Sequence, residues 1–281
     1  MRLRDLLSFL ILSTSALPAF AIIGGSVIGA QDFKSSSMAS STVAVIWEVD
    51  QDGRDISCTG TLIARDLVLT AAHCLTDAKN ASEIQIDFLT PNFIDSLGLP
   101  KILAKKFVIH ENFLKSSDNQ RDDLALILLS QAAPAGTTVA TLVPANWTPG
   151  YIETNTALGY GVSDDRPEMA LDDKNGSGIL RLVALPDLLP LAQNNSGISG
   201  MLAVSQPQSG ICHGDSGGPL FVQSSFMSQP LLAGVTHSVV PADGQEKTHL
   251  CSGYSYFVNV ADQLNWISTQ TANLRAADAQ K

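Results

Sequence analysis

Residues 214–219 read Gly214-Asp215-Ser216-Gly217-Gly218-Pro219. Three glycines frame one serine and one acid, so a hydroxyl can stand on a tight turn with little side-chain obstruction. A plain glycine-rich hairpin is the bland alternative, and this density of glycine around a single serine speaks against it. Three further segments stand out on moving away from it. Thr70-Ala71-Ala72-His73-Cys74 sets a histidine beside a cysteine, which alone is most often an ordinary packed residue. Asp122-Asp123-Leu124-Ala125-Leu126 puts acids at the head of an apolar strand, by itself a turn. Ile22-Ile23-Gly24-Gly25 follows an amino-terminal stretch of different character.

That stretch carries Arg2 and Arg4, the apolar run Leu6 to Leu12, and Ala19-Phe20-Ala21. A basic start, a short apolar core and a small-x-small ending are the three parts of an export signal. Cleavage after Ala21 is expected; losing Arg2, Arg4 and Asp5 moves the formal charge from −10 to −11. An acidic chain excludes nucleic acid as the main partner, because phosphate binding needs a basic surface. No apolar run reaches the roughly 18 to 20 residues needed to cross a bilayer. The 281 residues, with 21 glycines, 13 prolines and 16% charged side chains, describe a turn-rich globular chain.

Short β-rich runs recur throughout: Thr42–Val49, Thr61–Ile63, Leu67–Thr70, Ile84–Phe88, Phe107–Ile109, Leu124–Leu129, Thr156–Tyr160, Gly178–Leu185, Pro219–Val222, Leu231–Thr236 and Tyr254–Val258. Turn-forming clusters separate them, a pattern expected of sandwiches or barrels. Val260 to Ala276 is the one long helix, with Val260, Leu264, Ile267 and Leu274 on its apolar face. Gln131–Gly150 reads as a connector, Met169–Gly178 as a mobile surface loop, and no internal repeat is visible. Four cysteines, Cys58, Cys74, Cys212 and Cys251, suggest two disulfides in an exported chain, with three connectivities open. Zinc lacks the C-x-x-C or H-x-x-x-H spacing it would need.

Together the four segments resemble the trypsin/chymotrypsin-like serine proteases. That family carries T-A-A-H-C around its base, D-[IL]-A-L around its acid, G-D-S-G-G-P around its nucleophile and I-[IV]-G-G at its mature start. All four stand here in the family's order, and the resemblance spans residues 22–270. Leu158-Gly159-Tyr160-Gly161 and Trp266-Ile267 add to it. The resemblance implies an all-β fold, two six-stranded antiparallel Greek-key barrels with a C-terminal helix. The expected division is a signal peptide over 1–21, a first barrel over 22–130 with His73 and Asp123, and a connector over 131–150. A second barrel over 151–260 would carry Ser216 and the specificity pocket, and the helix and tail would fill 261–281.

The resemblance also implies roles. Ser216 would be the nucleophile, His73 the general base and Asp123, rather than Asp122, the acid that orients it. Backbone N–H groups of Gly214 and Ser216 would form the oxyanion hole. A free Ile22 ammonium would pair with Asp215, and since Ala21 directly precedes Ile22, removal of the signal would itself create the active enzyme. Cys58 would bridge to Cys74 and Cys212 to Cys251, the longer span of the second lying in Val240–His249. No cofactor and no metal are implied.

The resemblance also implies a specificity pocket, placed by the family's registers around the nucleophile. The pocket floor, six residues before it, is Gly210; no aspartate stands there, so Lys or Arg at P1 is not expected. The walls register on Val239 and Ser255, and Val239 would favour small or medium aliphatic P1 side chains. His237 stands where the family usually has a serine supporting the triad acid. It could read an acidic P1 group, as in glutamate-specific relatives, or act as a local hydrogen-bonding substitute. His213 is expected at the pocket rim, while His110 and His249 show no partners in sequence. The expected function is a secreted or periplasmic serine endopeptidase, monomeric, acting on proteins or peptides and open to protein inhibitors. A non-catalytic binding protein on the same scaffold is the rival; an α/β-hydrolase esterase has a different chain order.

Overall fold

The computed structural model describes residues 22–49, 55–88, 91–92, 101–115, 120–150, 153–166, 176–189, 200–244 and 248–276. The expected signal over 1–21 and most of the expected mobile loop (169–175) lie outside these residues. The described chain opens with a two-residue strand β1 (Ser26–Val27) and two short helices, α1 (Ala30–Ser35) and α2 (Ser37–Ser41). Ser36 caps α2, its hydroxyl accepting from the Ala39 N–H at 3.2 Å.

Six antiparallel strands then close a barrel: β2 (Thr42–Val49), β3 (Asp55–Ala64), β4 (Leu67–Thr70), β5 (Gln85–Asp87), β6 (Ile102–Ile109) and β7 (Ala125–Leu129). Around the barrel they run β2-β3-β4-β7-β6-β5, with β5 back on β2. A short helix α3 (Glu111–Lys115) lies between β6 and β7. The sequence of β7, Ala-Leu-Ile-Leu-Leu, is apolar without alternation, and the structure gives the reason. Ala125, Ile127 and Leu129 fill the barrel interior, whereas Leu126 and Leu128 join the large core shared with the rest of the molecule. Both faces of this strand are therefore dry.

A second sheet holds β8 (Thr141–Leu142), β9 (Thr154–Gly159), β10 (Arg181–Leu185), β11 (Met201–Gln206), β12 (Pro219–Gln223), β13 (Leu231–Pro241) and β14 (Gly253–Asn259). Its path is β1-β10-β9-β12-β13-β14-β11, and β8 adds in parallel to β13. Omitting the two-residue strands leaves six in the same pairing order as the first barrel. A single bridge, Leu189 to Ala203, joins the chain just after β10 to β11 and completes the ring. The fold class is therefore the one expected: mostly β, a closed barrel beside a second six-strand unit, ending in helix α4 (Val260–Ala276). Among the described residues no helix is long and apolar enough to cross a membrane.

Several elements differ from their sequence reading. β11 was not expected, because Met-Leu-Ala-Val-Ser-Gln lacks alternation; it is buried at every residue but Ser205. β13 continues five residues past the expected end at Thr236 and carries His237 and Val239. The connector contains β8, and β6 begins at Ile102 rather than Phe107. α4 buries Val260, Ile267 and Leu274 as read, and adds Ala261, Gln263 and Trp266, while Leu264 packs only partly.

Candidate active site

The turn between β11 and β12 holds Ser216, and its glycines are required by space as well as by backbone. Gly214 and Gly217 have φ of 91° and 78°, left-handed values that side chains rarely take. A Cβ on Gly217 would collide with Thr70 Oγ1 and the Thr59 carbonyl, both in the first barrel. Gly217 N–H donates to the Thr236 carbonyl at 2.8 Å and Gly218 N–H to the Asp215 carbonyl at 2.9 Å. Asp215 N–H donates to the Cys212 carbonyl at 3.1 Å. By contrast, the Gly214 and Ser216 N–H groups make no hydrogen bond within the described residues.

Thr59 on β3 was not singled out from sequence, yet it grips this turn. Its N–H donates to the Ser216 carbonyl at 2.8 Å, and its hydroxyl donates to the Gly214 carbonyl at 3.1 Å. The same hydroxyl accepts from Tyr160 N–H at 3.1 Å. Being next to Cys58 in the sequence is its only signal. Cys58 and Cys74 are disulfide-bonded, as are Cys212 and Cys251.

His73 follows β4 and Asp123 precedes β7, and antiparallel pairing of those strands brings them together. Asp123 is fully buried. Its Oδ1 accepts from the His73 backbone N–H at 2.8 Å, and its Oδ2 lies 2.7 Å from His73 Nδ1. The same Oδ2 lies 2.6 Å from His237 Nδ1. Burial alone would raise this carboxyl, but the hydrogen bonds from His237 and His73 hold it down at about 2. The two imidazoles meet edge to face, their centres 6.0 Å apart. Donor atoms of His73, Asp123 and His237 lie within 4.8 Å of one another, a spacing that could suit a metal. Both imidazole contacts fall on one carboxylate oxygen, however, so the set is arranged for holding protons.

His73, Ser216 and His237 line one cleft of about 380 Å³, together with His213, Thr236 and Val239. No hydrogen bond joins Ser216 Oγ to His73 among the described residues, although both line this cleft. Asp122 is turned elsewhere: it accepts from Gln263 Nε2 at 2.9 Å and lies 3.7 Å from His110 Nε2. His110 is buried and stacked on Trp266, with ring centres 4.7 Å apart. His249 Nδ1 lies 3.0 Å from Asp165. Each therefore has a structural partner that sequence did not reveal.

Gly210 and Ser255 are buried and do not line the cleft. Behind it, Gln206 occupies the space over Gly210, where a Cβ would collide with its amide. Gln206 accepts from Ile211 N–H at 2.9 Å, donates to the Ile211 carbonyl at 2.8 Å, and also bonds Ser255 Oγ and the Cys251 carbonyl. It lies on β11, the strand that sequence missed. Val239 does line the cleft.

Asp215 is fully buried and points away from the cleft. It accepts from Gly161 N–H at 2.8 Å and Cys212 N–H at 2.7 Å, and neither of these bonds comes from Ile22. Burial pushes its carboxyl up to about 7, opposed by those amides and by the charge of Arg181. Ile22 is also buried, peptide-linked to Ala21, with its carbonyl accepting from Gly25 N–H at 2.8 Å.

Comparison with known proteins agrees with this architecture. The profile of the trypsin family matches residues 34–267, and the chain belongs to that family. It is 30% identical to brachyurin of Leptuca pugilator over 226 residues, covering 76% of this chain and 87% of that protein. It is 26% identical to vitamin K-dependent protein C of Rattus norvegicus over 234 residues, and 30% identical to venom plasminogen activator LV-PA of Lachesis muta muta over 180. Those matches cover 76% and 60% of this chain but only 46% and 64% of the respective relatives.

Proposed function

We propose that the chain is an exported serine endopeptidase that cleaves through an acyl-enzyme. Ser216 Oγ attacks the peptide carbonyl while His73 Nε2 takes its proton and returns it to the departing amine; water then releases the acyl group by the same route. Asp123 keeps the proton on His73 Nδ1 and stabilises the imidazolium. The unspent Gly214 and Ser216 N–H groups receive the developing oxyanion; losing such a donor costs about 3 kcal/mol. The observation that carries this reading is the 2.7 Å contact between His73 Nδ1 and the buried Asp123, in a cleft that Ser216 also lines.

For specificity we propose small or medium aliphatic P1 side chains. Val239 narrows the cleft, Gln206 fills the space over Gly210, and no acid stands at Gly210 to attract Lys or Arg. His237 is 2.6 Å from Asp123 and its side chain is 12% exposed, which favours holding the triad acid over reading an acidic P1 group. Release of Ile22 would supply an ammonium for Asp215.

A fluorophosphonate probe tests the reading. Stoichiometric modification of Ser216, lost on unfolding and on Ser216→Ala, is expected. Peptidase activity should fall by about 10⁴-fold or more in that variant while it stays folded. An unreactive folded protein would point instead to a binding role on a protease scaffold.

A further inference from the structure

Asp215 faces a second cation that sequence reasoning did not consider. Arg181 opens β10 and pairs with Gly159 of β9. Residues opposed in an antiparallel pair point to the same face. The face above Gly159 is occupied by Asp215, since a Cβ there would overlap its carboxylate Oδ1. Arg181 is only 2% exposed, an uncommon place for a guanidinium. Its Nη1 donates to the Gly176 and Ile179 carbonyls, both at 3.0 Å, which hold the head group in place. Its Nε is buried with no hydrogen-bond partner among the described residues. A buried guanidinium with donor capacity to spare thus shares a face with a buried carboxylate.

We infer that Arg181 is a positioning residue whose charge, acting across the shared buried face, favours the inward position of Asp215, so that the Ser216 turn is formed while Ile22 is still peptide-linked. This rests on the protease reading of Ser216 and deepens it. Asp215 is the residue before Ser216, and its carboxyl is held inward by the Gly161 and Cys212 N–H groups. A carboxylate left without a cation would be costly to bury and would pull the turn outward. Arg181 meets that need from within the second sheet, without a free amino terminus. The Ile22 ammonium, once released, becomes a second cation for the same carboxylate, and the two are partly redundant.

The experiment compares the full chain, with residues 1–21 retained, to the chain beginning at Ile22. Each is prepared with Arg181, Arg181→Gln and Arg181→Lys, and the rate of fluorophosphonate labelling of Ser216 is read. With Arg181 intact, the full chain should label within about 10-fold of the Ile22 form. Arg181→Gln should slow the full chain by about 100-fold or more and the Ile22 form by less than about 5-fold, with Arg181→Lys restoring most of the loss. Normal labelling of the Ile22 form of Arg181→Gln shows that the variant folds. Equal losses in both forms would overturn the proposal. Should Arg181→Gln fail to fold, the unsubstituted pair decides: labelling of the full chain about 1,000-fold slower than the Ile22 form would refute it, and labelling within about 10-fold would support it. If the Ile22 form with Arg181 intact does not label at all, the protease reading itself fails.

Discussion

Two buried aspartates, one in each half of the molecule, receive opposite treatment. Asp123 and Asp215 are both fully buried, and each accepts at both carboxylate oxygens. Asp123 nevertheless is held at about 2 while Asp215 is pushed up to about 7. The donors account for the difference. Asp123 has two imidazoles in direct contact, groups able to carry a full positive charge. Asp215 has two backbone amides, which offer dipoles only, and a guanidinium that shares its face without a hydrogen bond to it. Burial costs both carboxylates the same kind of energy, and only direct, charge-capable donors offset it in full.

Asp123→Asn attacks the comparison at its strongest point. An amide in place of the carboxylate stabilises the wrong His73 tautomer, and kcat should fall by about 10⁴-fold with little change in fold. Steady-state kinetics on a folded preparation measure it.

A pH titration of stability probes Asp215. The unfolded carboxyl gives up its proton near 3.8, whereas the folded chain with Ile22 still linked keeps it up to about 7. The folded state thus holds more protons across this window, and its stability falls as pH rises from about 4 to about 7. The full fall is on the order of 4 kcal/mol, at about 1.4 per pH unit. In the form beginning at Ile22 the ammonium favours the carboxylate, and the slope should largely vanish. Denaturant midpoints of the two forms across this range distinguish them.

Removing one of the two imidazoles gives the smallest effect. His237→Ala leaves Asp123 with His73 alone, and kcat/KM should fall by the equivalent of about 1.5 to 3 kcal/mol, the worth of a hydrogen bond to a charged group. The acid side should move too. Asp123 contributes stability that is lost as pH falls from about 4 towards 2; with one donor gone its carboxyl is held down less, so in the variant that loss should be smaller and be complete at a higher pH. His237→Ser, which returns a hydroxyl donor, should recover much of the activity. Recovery by Ser but not by Ala separates a donor role from simple packing.

The legible part of the site was the part written in contiguous residues. His73, Asp123 and Ser216 each sit inside a short motif whose neighbours serve the same local geometry, such as the glycines that clear space around Ser216. Most strands were legible as well, because turn clusters break the chain between β-rich runs. Thr59, Gln206 and Arg181 escaped because their partners are distant in sequence. Thr59 bonds Gly214, 155 positions on, and its neighbour Cys58 says nothing of that partner. Gln206 lies on a strand buried at nearly every residue, where alternation is absent. The shared strand order of the two halves left no trace either, since pairing order constrains which residues are buried rather than which residue types are used.

The Thr59 contacts have a mechanical consequence. One residue of the first half clasps the turn of the other through both its hydroxyl, on the Gly214 carbonyl, and its backbone N–H, on the Ser216 carbonyl, so the halves cannot drift apart and leave the Ser216 hydroxyl in register. Heat inactivation should accordingly set in when the two lobes slip against each other, before either loses its own sheet.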